Sequence, residues 1–191
     1  MSLALIAAAC SPAATFNPSG PCNADGKAPG AYPELEALLP TEFAGAPPTI
    51  VDSGRSCSSA ALGSLAEHRV SELRFAGATW DHGSGRAATM AVLALPGAAL
   101  PARWAEEFYE LSARTAKRTG NIDVSRPEVE DVGLVFKLDT LNDLSFQTVV
   151  VWPDGERVRV VLVATPVNPS ADRADHETFV DDALVAAAPG G

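Results

Sequence analysis

The stretch Ser145-Phe-Gln-Thr-Val-Val-Val-Trp152, followed by Pro153-Asp154-Gly155 and then by Arg157-Val-Arg-Val-Val-Leu-Val-Ala-Thr165, decides the fold. Two apolar, β-branched runs flank a turn in which proline presets φ and glycine accepts a left-handed position, so the stretch predicts an antiparallel hairpin. Arg157 and Arg159 alternate with Val158 and Val160, which places two cations on one sheet face. They read as a solvated edge, with a carboxylate ligand as the alternative.

Working upstream, Glu72 to Trp80 and Arg86 to Leu95 flank Asp81-His82-Gly83-Ser84-Gly85. The two glycines allow positive φ in a hairpin loop, and Pro96-Gly97 stops the second strand. Glu130 to Leu138 and Thr49 to Asp52 are the remaining strand candidates. Between the hairpins, Leu100 to Thr119 carries Trp104, Phe108, Leu111 and Thr115 on one helical stripe, with early acids, late bases and Gly120 as a C-terminal cap. Such a stripe predicts a helix packed across the sheet. Shorter helices are expected at Pro33 to Pro40, with Leu35, Leu38 and Leu39 inward, and at Ser58 to His68; a longer one is expected from His176 to Ala187. The predicted fold is α+β: a single antiparallel sheet of five or six strands with helices packed against it, forming one domain over 32–191.

Composition bounds the function. The chain has 191 residues, 47% of them apolar, enough for one core, and a formal net charge of -10. That charge opposes phosphate binding, so nucleic acid is excluded as a partner, and it opposes electrostatic attachment to anionic lipid. Met1-Ser-Leu-Ala-Leu-Ile-Ala-Ala-Ala-Cys10 is a short apolar run ending in small residues before a cysteine, far shorter than a membrane span and suited to a processing site. Its end, Ile6-Ala7-Ala8-Ala9-Cys10, resembles the lipobox of bacterial secreted lipoproteins, although Ala7 stands where that family usually has a larger aliphatic residue and no basic residue precedes the run. The resemblance implies lipidation of Cys10, a signal remnant over 1–9, and a location in the cell envelope, anchored to the outer face of the membrane only through that lipid or else secreted. Residues 10–31, rich in Pro, Gly, Asn and Ser, then read as a flexible tether.

With Cys10 lipidated, Cys22 and Cys57 remain as an even pair in an oxidising compartment and are expected to form a disulfide. A reactive Cys57 thiol at the following helix N-terminus is the competing reading, without a nearby histidine or lysine in sequence.

No motif carries catalytic chemistry, so no catalytic residue is assigned. Asp81, His82 and Ser84 include the residue types of a nucleophilic triad but sit in one loop, where Asp, Gly and Ser serve the turn itself. Asp172, Asp175, His176, Glu177, Asp181 and Asp182 are acidic enough to attract a hard cation but match no cation loop. His176-Glu177 lacks a second histidine at Val180, and no Cys-x-x-Cys exists for zinc, so no metal is assigned. No glycine pattern implies a nucleotide, and no cofactor is expected. His68 reads as a cation at a helix C-terminus. Trp80 and Trp152, at strand ends beside hairpin loops, read chiefly as core; with His82 they are also the candidates for a binding patch.

The element order over Tyr32 to Ala187 resembles small bacterial lipoprotein domains and, more weakly, PsbP and Mog1-like domains, and neither likeness brings a functional site. The expectation is a monomeric, non-enzymatic envelope module that binds a small-molecule ligand or a protein. The alternatives are a hydrolase using His82 with carboxylates from other segments, or a purely structural envelope protein.

Overall fold

The computed structural model describes residues 16–142, 144–167 and 173–188; Cys10 and the lipobox-like run lie outside them. The strands are β1 Gly26–Ala28, β2 Ile50–Ser56, β3 Leu73–Asp81, β4 Ala87–Ala94, β5 Gly120–Ser125, β6 Glu128–Val129, β7 Gly133–Leu134, β8 Phe136–Leu141, β9 Ser145–Asp154 and β10 Arg157–Pro166. The helices are α1 Pro33–Glu36, α2 Ser59–Leu62, which continues as a 3₁₀ turn over Gly63–His68, α3 Ala102–Thr115 and α4 Arg173–Ala187.

Both expected hairpins form, with Trp80 opposite Ala88 in the first and Trp152 opposite Arg159 in the second. They meet through the pairing of β4 with β10, which makes one antiparallel sheet in the order β1-β2-β3-β4-β10-β9-β8-β5. The α+β class and the antiparallel sheet stand as expected, but the sheet has eight strands, not five or six. Two of the additional strands are edges that periodicity does not reveal. β1 is three residues long and lies in the Pro- and Gly-rich segment. β5 begins at Gly120, which was expected to cap α3; the helix ends at Thr115 and Ala116 is already extended. The strand expected over Glu130 to Leu138 is displaced, because Asp131 and Gly133 have positive φ and make a turn between β6 and β7.

Each sheet face carries its own core. On one, Trp80, Met90, Trp152 and Val161 pack under α1 and α4, against Leu35, Phe179 and Leu184. On the other, Leu138, Val151, Val158 and Val160 pack under α3 and the 3₁₀ turn, against Leu65, Leu100 and Ala105. Trp80 and Trp152 are therefore core residues, 1% and 2% exposed, and the surface patch considered for them is corrected. Their bulk is buried because the pleat turns positions 80 and 152 to the face that α4 covers. The Trp80 indole donates to the Ala46 carbonyl at 3.0 Å.

The expected solvated position of Arg159 is likewise corrected. It is buried, bonding the Asp154 carboxylate at 2.7 Å and the carbonyls of Leu38 and Ala187 at 2.9 and 3.1 Å. Those carbonyls lie just beyond α1 and at the end of α4, where backbone acceptors lack helical partners. One strand cation thereby holds the layer that covers the first face.

Residues 16–31 of the expected tether belong to the fold. Arg55 on β2 is buried and donates to the carbonyls of Asn17, Pro18, Gly20 and Pro21. The Cys22–Cys57 disulfide is formed. Beside it, Asp25 accepts the backbone N–H groups of Cys57 and Ser58 and the Ser58 hydroxyl, and these bonds, led by the hydroxyl, hold its carboxyl below the usual range. Gly54 lets β1 approach β2, since a Cβ there would lie 2.3 Å from the Gly26 carbonyl oxygen.

Under α4, His176 is buried with Nε2 2.7 Å from the Thr148 hydroxyl and Nδ1 2.8 Å from the Thr165 hydroxyl. Thr148 donates its only hydroxyl proton to Asp139 at 2.5 Å. Nε2 must then carry the imidazole proton and Nδ1 must accept from Thr165, which satisfies the neutral ring. Burial pulls its pKa below the usual 6.5, with Glu177 and Asp139 opposing that shift and Lys137 and Arg173 adding to it.

Two expectations follow for stability. Reducing the disulfide, or replacing both cysteines by serine, frees a loop with a sequence separation of 35 and should cost about 4 kcal/mol in the chain-entropy treatment, read from urea unfolding. Because the native pKa of His176 is depressed, its contribution is complete above the unfolded value of 6.5 and is lost as pH falls from there toward the lower native value, where the unfolded chain binds the extra proton. Melting temperature should therefore drop between about pH 7 and pH 5.5 in the wild type, and His176→Gln should flatten that dependence; an unchanged slope would refute the assignment.

Candidate functional site

The residues singled out by sequence are spread over the fold. His82 lies exposed in the β3–β4 loop, with its ring edge-on to Phe43 and Phe179 at 5.8 and 5.5 Å. Asp81 accepts the Gly83 backbone N–H at 2.8 Å, as an aspartate does in a turn. Among the described residues, no carboxylate or hydroxyl meets the His82 imidazole. His68 stacks on Trp104 at 4.6 Å and pairs with Glu107 at 2.7 Å. Of the acidic cluster, Asp172 lies outside the described residues; among the described ones, His176 points into the core, Glu177 pairs with Lys137 and Arg173, and Asp181 and Asp182 are exposed. Among the described residues no three His, Cys, Asp or Glu side chains gather as a metal site, and no helix is long and apolar enough to cross a membrane.

Among the described residues, the fold leaves a half-enclosed, mostly apolar space on the second sheet face, over β2, β3 and β4. α3 crosses β8, β9 and β10, and only Ala105, Phe108 and Tyr109 of its inward face extend over the other half of the sheet. The expected stripe is rotated accordingly. Ala105 alone on α3 is fully buried, Trp104, Phe108 and Tyr109 are half-buried, and Leu111 is 46% exposed. What remains is a half-enclosed cavity of about 360 Å³.

Small residues make its floor. Gly77 on β3 pairs with Ala91 on β4, and both lie on the cavity face. A Cβ at Gly77 would meet nothing closer than 3.9 Å, so the missing side chain leaves open space. A strand-interior glycine costs stability unless something must come close to the backbone, and no protein atom does so here. Leu65, Leu73, Leu93 and Ala105 close the deep end, and Phe108 and Tyr109 form the roof. Phe108 rests on Gly63, whose φ of +52° and lack of Cβ let the ring approach; an added Cβ would lie 3.0 Å from it. Phe108 and Tyr109 meet edge to face at 5.3 Å, which fixes both rings.

The polar groups are few: Lys27, Asp52, Ser56, Thr79, Thr89 and Tyr109. At the rim, Lys27 pairs with Asp52 at 2.7 Å, and the Thr79 and Thr89 hydroxyls bond each other at 3.0 Å. Ile50, 54% exposed, forms an apolar lip. The Tyr109 hydroxyl has no hydrogen-bond partner among the described residues, and burial pushes its pKa up to about 12. A recess of similar size on the outer side of α3 is lined instead by charges that satisfy one another, Glu110 with Arg114 at 2.7 Å and Glu106 with Arg126 at 2.5 Å.

Sequence reasoning did not identify Gly77 or Tyr109. The available signals were a glycine inside an otherwise apolar strand and a tyrosine beside, rather than on, the aromatic stripe. No family model, curated protein or solved structure matches the chain.

Proposed function

We propose that the protein is a small-molecule-binding module of the cell envelope, held to the membrane by lipid on Cys10, with the cavity between β3, β4 and α3 as its ligand site. The cavity carries the reading. Its volume lies at the lower end of small-molecule sites, its walls are mostly apolar, and its roof holds an unused hydroxyl, the combination expected of a ligand pocket. The Cys22–Cys57 disulfide supports an oxidising compartment. Five residues separate Cys10 from Phe16, whose ring lies against Gly26 of β1. Lipid at Cys10 would therefore keep the β1–β2 edge near the bilayer, and Lys27 and Ile50 on that edge border the cavity mouth. Apolar molecules partition into the same layer.

The direct test is fluorescence titration with N-phenyl-1-naphthylamine, a neutral apolar probe that brightens when desolvated. The wild type should bind it saturably. Gly77→Leu places a side chain in the open space and should weaken binding at least tenfold, while leaving thermal stability unchanged or higher, because strand glycine is replaced by a residue that packs. Equal binding by both proteins would place the probe elsewhere and overturn the site. For the envelope reading, intact-mass analysis of the native protein purified from its cell envelope should show cleavage before Cys10, an added lipid mass and the loss of two hydrogens for the disulfide. An unprocessed chain with three free thiols would overturn that part.

A further inference from the structure

Resting on the cavity being the ligand site, we propose that its occupant is a neutral, largely apolar molecule with one hydrogen-bond acceptor, a ketone, ester or ether oxygen, that receives the Tyr109 hydroxyl. Charge excludes the ionic alternatives. The charged groups lining the cavity are Lys27 and Asp52, which lie at the rim and neutralise each other at 2.7 Å. A carboxylate or ammonium group drawn inside would lose water without gaining a counter-ion, a cost that apolar contacts of this extent do not recover. A pure hydrocarbon is also a poor match, because it would leave the phenol desolvated and unbonded.

The position of the hydroxyl defines the pairing. Thr79 and Thr89 already bond each other at 3.0 Å, whereas the other two hydroxyls of the lining, Ser56 on β2 and Tyr109 in the roof, have no protein partner among the described residues, and of these the Tyr109 phenol is the stronger donor. Because burial raises the phenol to about 12, the group keeps its proton throughout the ordinary pH range and acts as a donor. Across the cavity, Gly77 and Ala91 present a flat floor without side-chain relief, and the edge-to-face pair of Phe108 and Tyr109 covers it. A planar ring system fits between these surfaces, with its acceptor directed at the roof.

The test uses three ligands of one shape: 2-acetylnaphthalene, 2-ethylnaphthalene and 2-naphthoate, each read by displacement of N-phenyl-1-naphthylamine from the wild type and from Tyr109→Phe. The ketone should bind the wild type, and Tyr109→Phe should weaken it about tenfold, the loss expected when a buried acceptor is left without its donor. The hydrocarbon should change by less than about twofold between the two proteins. Naphthoate should bind the wild type most weakly. Retained binding of the fluorescent probe by Tyr109→Phe shows that the cavity is intact in the variant. If Tyr109→Phe weakens ketone and hydrocarbon equally, or if naphthoate binds most tightly, the assignment of a neutral acceptor is wrong while the cavity remains a ligand site. If neither the probe nor any naphthalene binds the wild type, the ligand-site reading fails with it.

Discussion

A sheet with two apolar faces must be covered on both, and the helices of the described residues do not cover all of the second. On the first face, α1 and α4 lie over Trp80, Met90, Trp152 and Val161, and Arg159 secures the ends of that layer through the Leu38 and Ala187 carbonyls. On the second face, α3 must pass from β4 to the opposite edge at β5, so it lies over β8, β9 and β10. Among the described residues, the region over Gly77 and Ala91 receives Ala105, Phe108 and Tyr109 of α3, Ala61 of α2 and Leu65 of the 3₁₀ turn. The cavity is thus a consequence of topology, kept open by the absence of side chains on its floor.

The same cavity depends on the N-terminal segment. Lys27 belongs to β1, a three-residue edge strand too short to hold itself in place by its ladder alone. It is held by the Cys22–Cys57 bond on one side, by Asp25 bound to the start of α2, and by Arg55, which gathers four carbonyls of residues 17–21. Long-range covalent and charge-assisted restraints substitute here for the regular hydrogen bonding that proline and glycine deny. The segment that resembles a linker in composition consequently forms one border of the site.

This arrangement also explains what the amino-acid order revealed and what it concealed. The hairpins around His82 and Asp154 were legible because local turn chemistry and apolar runs determine them. The Cys22–Cys57 pairing was legible through cysteine arithmetic once Cys10 was set aside. Gly54 and Arg55 of β2, the three residues of β1, and β5 were not, because edge strands acquire their structure from partners distant in sequence. The α3 stripe was placed on Trp104, Phe108, Leu111 and Thr115, whereas the inward face is Ala105, Phe108 and Tyr109, with Leu111 exposed; tertiary coverage set the rotation of a helix whose period alone was visible. Trp80 and Trp152 were read chiefly as core and are core, turned by sheet parity beneath α4, so the alternative of a surface patch beside their loops falls. The candidate site was almost wholly hidden, since it consists of a missing side chain at Gly77 and an unbonded hydroxyl at Tyr109, and neither absence forms a motif.

The decisive measurement is a crystal structure of the protein purified from its native source with bound small molecules retained. The account expects electron density for a compact apolar molecule between Gly77 and the rings of Phe108 and Tyr109, with an acceptor atom within hydrogen-bond distance of the Tyr109 hydroxyl. A collapsed roof, with Phe108 resting on Gly77 and the Tyr109 hydroxyl bonded to a protein group, would contradict it.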